Sequence, residues 1–362
     1  MTSENKHFDV VFSGYIKTES PFHSAPPSVK APKGKAKPLP RICIGNSGSE
    51  VPYISGSGIR GRLRRCAYQV VLEKLMSKHG LEYSPFTMDD FYLNVVGGFA
   101  SESDGKIKTL AQREANPITS LFGTSYGWTA GRLTVGFAYP EVGFGETFPT
   151  SEISGVRKDD LARGDGNEYA VSEEVMEDVF SRQEQARTDS TAVKLIEDLK
   201  KRIRKSSNEE EIAGLQEELK DIEESKSGKR TVSSQLPLDG YEVIPAGCDL
   251  RHRFQLIGAT AAEVGFFIEV LRHFSHRPIL GANYRADMGL ISAKYDVAVF
   301  SNKPHEKVLS SSISFGGEMR EFELGEGFDS YLAAWDEKLE GLDVDDVKMP
   351  TGKNKSKAAV EA

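Results

Sequence analysis

Apolar residues recur at two spacings along the chain and divide it into a few elements. Residues 7–17 are β-branched and aromatic, which predicts a first strand. Ile59, Leu63, Cys66, Ala67, Val70 and Val71 then recur at helical spacing, predicting a helix to about Lys78 with one buried face. Further strands are expected at 132–139, 249–257 and 290–300. A second helix is expected at 260–274, with Ala262, Phe266, Phe267, Val270 and Leu271 apolar. The order is strand, helix, two strands, helix, strand. That is the βαββαβ pattern of an α+β, ferredoxin-like (RRM-like) fold, which RNA-recognition modules also use.

The stretches between these elements are polar. Residues 141–240 read as an insertion between two parts of one palm, 1–140 and 241–317. Within it, 148–165 carries isolated apolar residues, Ile153 and Val156, beside Arg157 and Lys158, and predicts a projecting hairpin or loop. Residues 172–226 are charged and helix-forming. Leu195, Ile196, Leu199 and Ile203 mark one thin apolar stripe, and Ile212, Leu215, Leu219 and Ile222 another. Two such stripes, broken at Lys205-Ser206-Ser207, predict a helical hairpin at 191–204 and 208–224 rather than a deep core. Phe328, Tyr331, Leu332, Trp335 and Leu339 place an amphipathic helix in an acidic C-terminal segment, 318–347. A Lys-rich tail, 348–362, is expected to be disordered.

Charge is uneven along the 362 residues. The net charge of −8 argues against a protein that coats nucleic acid indiscriminately. Yet residues 1–65 hold eleven Lys/Arg against four Asp/Glu, while 318–346 hold eleven Asp/Glu against two Lys/Arg. A proline-rich loop at 19–50 carries Lys30, Lys33, Lys35, Lys37 and Arg41, with no acid between Ser20 and Ser49. It predicts a basic arm for a polyanion backbone. Cys43, Cys66 and Cys248 form neither a metal-ligand pattern nor a disulfide framework, so a cytoplasmic location is expected. Neither a signal-peptide apolar region nor a membrane-spanning run is present in the sequence, so no membrane partner is expected.

The chemistry concentrates where the first helix begins. Three glycines, Gly56, Gly58 and Gly61, and two serines, Ser55 and Ser57, lead into Arg60, Arg62, Arg64 and Arg65. Glycines at a helix N-terminus let a phosphate approach free N–H groups, and the helix dipole favours the anion. Arginine forks match phosphate oxygens. On a helical wheel Arg62, Arg64 and Arg65 fall outside the apolar face, with Arg60 at its edge. The stretch satisfies G-x-G-x-x-G, but no apolar strand ends in an acid about 20 residues on, as a dinucleotide site requires. It also has P-loop spacing, but Arg62-Leu63 stands where Lys-Ser/Thr is needed for Mg²⁺. A polymer of phosphates fits better than a nucleotide cofactor, and neither a cofactor nor a metal is expected. His273 and His276 are three apart at a helix end, where dipole or RNA contact is a better reading than metal binding.

Several segments together resemble the RAMP superfamily, and within it the guide-RNA-binding backbone subunits of CRISPR effector complexes. Residues 52–64 are similar to its P-Y-I-P-G-S-S-L-K-G-x-L-R motif, with Ser55, Gly58 and Arg60 as departures. Leu121-Phe122-Gly123 before Gly131-Arg132-Leu133 resembles its L-F-G…R-L pair. Ser154-Gly155-Val156-Arg157 is similar to its thumb, residues 241–247 to its E-x-V-P-x-G return strand, and 280–289 to its glycine-rich loop. The resemblance implies a non-catalytic subunit that oligomerises along a guide RNA and supports pairing to a DNA or RNA target. Its partners are then the guide, further copies of itself and other subunits, and the type IV systems are the most similar. The implied RNA contacts are Gly56, Ser57, Gly58, Arg60, Gly61, Arg62, Arg64 and Arg65, the five cations of the basic loop, Val156 and Arg157 in the thumb, and Asn283, Tyr284 and Arg285. RNA-cleaving relatives carry an aspartate in the first loop. Here only His23 inside that loop can exchange protons, which leaves a ribonuclease acting through His23 as the alternative.

Overall fold

The structure is a computed structural model that describes residues 7–24, 36–44, 50–97, 113–125, 129–143, 146–158, 173–205, 209–225, 235–281, 287–301 and 306–349. Its centre is a long strand, β1 (His7–Thr18), in which Val10, Phe12, Ile16 and Thr18 face inward and Ser13, Tyr15 and Lys17 outward. This period of two commits one face to a core and leaves the other to solvent. β2 (Arg41–Cys43) and β3 (Glu50–Pro52) form a small antiparallel pair that leads into α1 (Gly56–His79). Two short helices follow, α2 (Met88–Val95) and α3 (Pro117–Phe122), and then β4 (Leu133–Val135).

β5 (Ser151–Lys158) and β6 (Gln235–Val243) pair with each other, with α4 (Glu173–Lys205) and α5 (Glu209–Ser225) between them in sequence. The chain returns through β7 (Asp249–Thr260), α6 (Ala261–Ser275), β8 (Ile291–Ser301), β9 (Lys307–Gly316) and β10 (Glu321–Leu324). It closes with α7 (Asp329–Gly341) and α8 (Val344–Val347).

The main sheet runs β10-β9-β8-β1-β7-β4, with antiparallel pairing throughout. Four consecutive members, β8-β1-β7-β4, are the fourth, first, third and second strands of a βαββαβ unit. The fold is therefore ferredoxin-like, as the apolar pattern predicts. β9 and β10 extend one edge and were not expected. β9 carries four serines, and serine is not a strand-forming residue, so local pattern gave no signal. β4 is shorter than the expected 132–139 because Gly136 interrupts it. Pairing resumes as isolated bridges, Ala138 with Ile54 and Tyr139 with Arg251.

α1 and α6 cover the inner face of the sheet. Phe12 meets Phe254 and Phe267 edge-on, with ring centroids 6.3 and 5.3 Å apart. α7 packs on α6, Trp335 stacking on Phe266 at 4.4 Å. Each main helix is begun by a side chain: Ser55 accepts the Gly58 N–H for α1, and Thr260 with Glu263 forms a capping box for α6. Gly80, at φ 62°, ends α1.

The chain divides into two compact units, 1–152 with 241–362, and 153–240. Of the polar 148–165 stretch, 159–165 lie outside the described residues, and its described strand, β5, pairs with β6, far along the chain. α4 begins at Glu173 rather than 191, and Ile196, Leu199 and Leu215 are the buried apolar residues of this unit among those described.

Candidate nucleic-acid interface

α1 starts beside a groove of about 870 Å³ in the first unit. One wall is the helix itself: Gly56, Ser57, Arg60, Gly61, Arg64 and Arg65. The other is made by the end of α2 through Gly97, the turn after α3, and β4. Three arginines line the groove, and no Asp or Glu does among the described residues. Ser55 takes the Gly58 N–H at 3.1 Å, and its carbonyl takes that of Ile59 at 3.1 Å. Among the N–H groups that a helix start leaves without intrahelical partners, those of Gly56 and Ser57 belong to residues that line the groove.

Gly56 serves packing as well as access. A Cβ there would stand 2.7 Å from the Gly136 carbonyl oxygen and closer still to that of Val135. The turn opposite depends on Gly123, at φ 69°, where a Cβ would meet the Thr129 carbonyl oxygen at 2.6 Å. This wall is stitched to α2 through one acceptor. The Gly97 carbonyl receives the Ser125 N–H at 2.8 Å, the Thr124 hydroxyl at 2.7 Å and the Ser125 hydroxyl at 2.9 Å. Arg132 and Ser120 both bond Glu263, tying α3 and β4 to the cap of α6.

The four arginines take four different roles. Arg64 is buried, not solvent-facing as its wheel position suggests. Its Nε donates to Asn94 O at 2.6 Å, Nη2 to Leu93 O at 2.7 Å and Nη1 to Gly123 O at 2.8 Å. Leu93 and Asn94 are in the last turn of α2, and Gly123 follows α3, so one guanidinium caps the negative ends of two helices. Arg64 therefore has a structural role in the wall of the groove that it lines. Burial first, then the neighbouring Arg60, lowers its pKa to about 10, which leaves it charged at neutral pH.

Arg60 is half-buried, its pKa also lowered by burial, and it bonds the Phe122 carbonyl at the end of α3. Arg62 does not line the groove: it donates to Arg277 O at 3.2 Å, with its guanidinium 5.9 Å from the centre of the Phe274 ring. Arg65 is exposed at the groove, with one bond, of 3.3 Å, to Gly61 O.

The basic loop is fastened where it is described. Lys37 lies 5.5 Å from the centre of the Tyr241 ring, and its carbonyl takes the Glu242 N–H at 2.9 Å. Arg41 forms an ion pair with Glu242, whose carboxylate also accepts from Leu39 N–H at 2.9 Å and Thr150 at 2.8 Å. Burial raises the pKa of Glu242, but these three bonds outweigh it and hold the carboxyl below its ordinary range. Arg41 is thus committed to a carboxylate rather than presented to a polyanion. Lys30, Lys33 and Lys35 lie outside the described residues, as do Asn283, Tyr284 and Arg285. The neck of that second loop is closed by Leu280 N–H on Gly289 O at 2.9 Å. Val156 and Arg157 are on β5, with only their backbone described.

His23 is 1% exposed. Its Nδ1 lies 2.7 Å from Glu242 O, and its ring is edge-on to Tyr241. Among the described residues no group of three His, Cys, Asp or Glu is placed to hold a metal, and no helix is long and apolar enough to cross a membrane. The groove residues that sequence reasoning missed are Gly97, Thr124, Ser125 and Thr129. The only signal for them was the Leu121-Phe122-Gly123 and Gly131-Arg132-Leu133 pair that brackets the turn.

No curated protein matches the chain in sequence. In structure it is similar to a chain of a solved "Type IV-B CRISPR Complex", at 17% identity and a TM-score of 0.37, over 83% of this chain and 91% of that one. A family model matches residues 16–292, from the end of β1 to the start of β8 and so across the whole groove, and by that match the chain belongs to the RAMP superfamily.

Proposed function

We propose that this protein is a non-catalytic backbone subunit that holds a guide RNA in a type IV-like CRISPR effector complex in the cytoplasm. Copies of it stack along the guide, and the guide's bases pair with the target. The observation that carries the reading is the groove at the start of α1, lined by three arginines and no acid among the described residues. Arg60 and Arg64 are held by carbonyl dipoles rather than carboxylates, so their charge is not cancelled, and Arg65 is exposed beside them. Gly56 and Ser57 add helix N-terminal N–H groups, a combination that recognises a phosphate backbone without reading sequence. Membership of the RAMP superfamily and the RRM-like sheet order support the same reading. Division of labour follows: the protein holds backbone and shape, and base pairing reads sequence.

The alternative, a ribonuclease using His23, is disfavoured by that residue's burial against Glu242 and Tyr241. A general base must come within hydrogen-bond reach of the proton that it abstracts. The test is Arg65→Glu in the full chain, with binding of a uridine oligonucleotide followed by fluorescence anisotropy across a salt series. Affinity should fall about tenfold at low salt, and the log–log salt slope should flatten by about 0.7 for each phosphate that the variant no longer neutralises. Unchanged affinity and slope would remove the groove from the RNA path. In parallel, labelled guide and paired target RNA should stay intact with the wild-type protein. Cleavage abolished by His23→Ala would establish the enzyme instead.

A further inference from the structure

We infer that the C-terminal strap, residues 343–349, is a positioning element for the groove, acting through the buried amides of Asn94 and Asn116. The inference rests on the groove being the RNA site. The strap is seated firmly. Val347 is fully buried, and its carbonyl accepts from Asn94 Nδ2 at 2.9 Å and from Asn116 Nδ2 at 3.4 Å. Met349 N–H donates to Asp90 Oδ1 at 2.6 Å. Just before the strap, Lys78 Nζ, at the end of α1, donates to the carbonyls of Glu340 at 2.6 Å and Leu342 at 2.8 Å.

The same two amides continue to the groove. Asn116 Nδ2 also donates to Asn94 Oδ1 at 2.8 Å, and Asn94 Nδ2 to Asp90 O at 2.8 Å. Asn116 Oδ1 caps α3, accepting from the N–H groups of Ile118 at 2.9 Å and Thr119 at 3.2 Å. The Asn94 carbonyl takes Arg64 Nε, and the carbonyl of Gly123, just beyond α3, takes Arg64 Nη1. Strap, amides, two short helices and Arg64 therefore form one buried hydrogen-bonded network that ends at Gly97 and Gly123.

Helices of eight and six residues do not hold their shape alone. α2 and α3 are fixed by what grips their ends: Arg64 and Arg60 at their C-termini, the amides and the strap on the far side. Without the Val347 carbonyl both amides lose a buried acceptor, and a partly satisfied network is costlier than a complete one. The helices are then free to shift, and the wall facing Arg65 shifts with them.

The test is Val347→Asp in the full chain, read first without RNA by amide hydrogen exchange. Protection at 93–97 and 119–125 should fall about tenfold, while β1, β7 and α6 keep theirs. Affinity for the uridine oligonucleotide should fall about tenfold with an unchanged salt slope, because every phosphate-binding cation stays in place. Protection lost uniformly, or only at 342–349, would overturn the inference, as would unchanged affinity beside a wild type that binds. Should Val347→Asp fail to fold, Lys78→Met releases the strap from α1 at a surface position and should give the same local pattern, about threefold. A wild-type protein that binds no RNA would refute the groove reading, while the exchange pattern would still decide whether the strap holds the wall.

Discussion

Arg64 and Arg65 are one residue apart on α1, about 100° around the helix, and the rotation separates stability from binding. Arg64 holds three buried carbonyls, and removing it strands all three. Arg64→Met should cost about 3 kcal/mol or more in denaturant unfolding. Arg64→Lys should rescue little, because an ammonium lacks the fork that spans three acceptors. Arg65→Ala should stay within about 0.5 kcal/mol of wild type while weakening RNA binding.

His252 is a second residue-scale case. It is buried between Tyr295, whose hydroxyl lies 2.8 Å from Nδ1, and Gly136, whose carbonyl lies 3.2 Å from Nε2. Burial lowers its pKa from 6.5 to about 4, against a smaller opposing effect of the Gly136 bond. The unfolded chain takes up a proton that the folded chain refuses. The stability is thus fully present above the unfolded pKa and is lost as pH falls from about 6.5 toward 4. The loss between pH 7.5 and 5 should be about 2 kcal/mol. His252→Gln should remove that part of the pH slope from denaturation midpoints.

At the scale of elements, the start of α1 is read twice by the fold. Its glycines admit a ligand, and one of them admits β4. Gly56→Ala places a methyl against two backbone carbonyls and should cost about 2 kcal/mol or more. Gly61→Ala meets nothing nearer than Arg65 Nη1 at 3.9 Å, so it should stabilise the helix by about 0.5–1 kcal/mol. Thermal melts of the two variants should therefore move in opposite directions. Sequence spacing identified α1 but could not separate these two glycines. The partners of Gly56 lie at 135 and 136, on a strand that the apolar pattern had placed without its register.

For the whole molecule, the division into two units has an energetic consequence. The main hydrophobic core draws no buried residue from 153–240 among the described residues. Replacing residues 159–234 with a short turn that joins β5 to β6 should leave the palm melting cooperatively, near the wild-type temperature. Loss of a cooperative transition in calorimetry would show that the arm is part of the palm's stability. The same layout accounts for the arm's legibility. Its helices are local, with thin stripes readable at a spacing of three and four, whereas β5 finds its partner some 80 residues later.

The βαββαβ succession, the two covering helices and the glycine–arginine stretch were present in the amino-acid pattern, whereas β9 and β10 were not. Periods of 2 and 3.6 are local, and so are caps. What each arginine does was not, because a guanidinium on a helical wheel carries no record of its acceptor. The three carbonyls that bury Arg64 come from 29, 30 and 59 residues away, and the one that turns Arg62 aside from 215. Their placement depends on where α2, α3 and α6 end against α1, and packing decides that. The chain itself therefore specifies a basic helix start beside glycines. Only the tertiary structure decides which of those cations becomes a keystone and which stays open to phosphate.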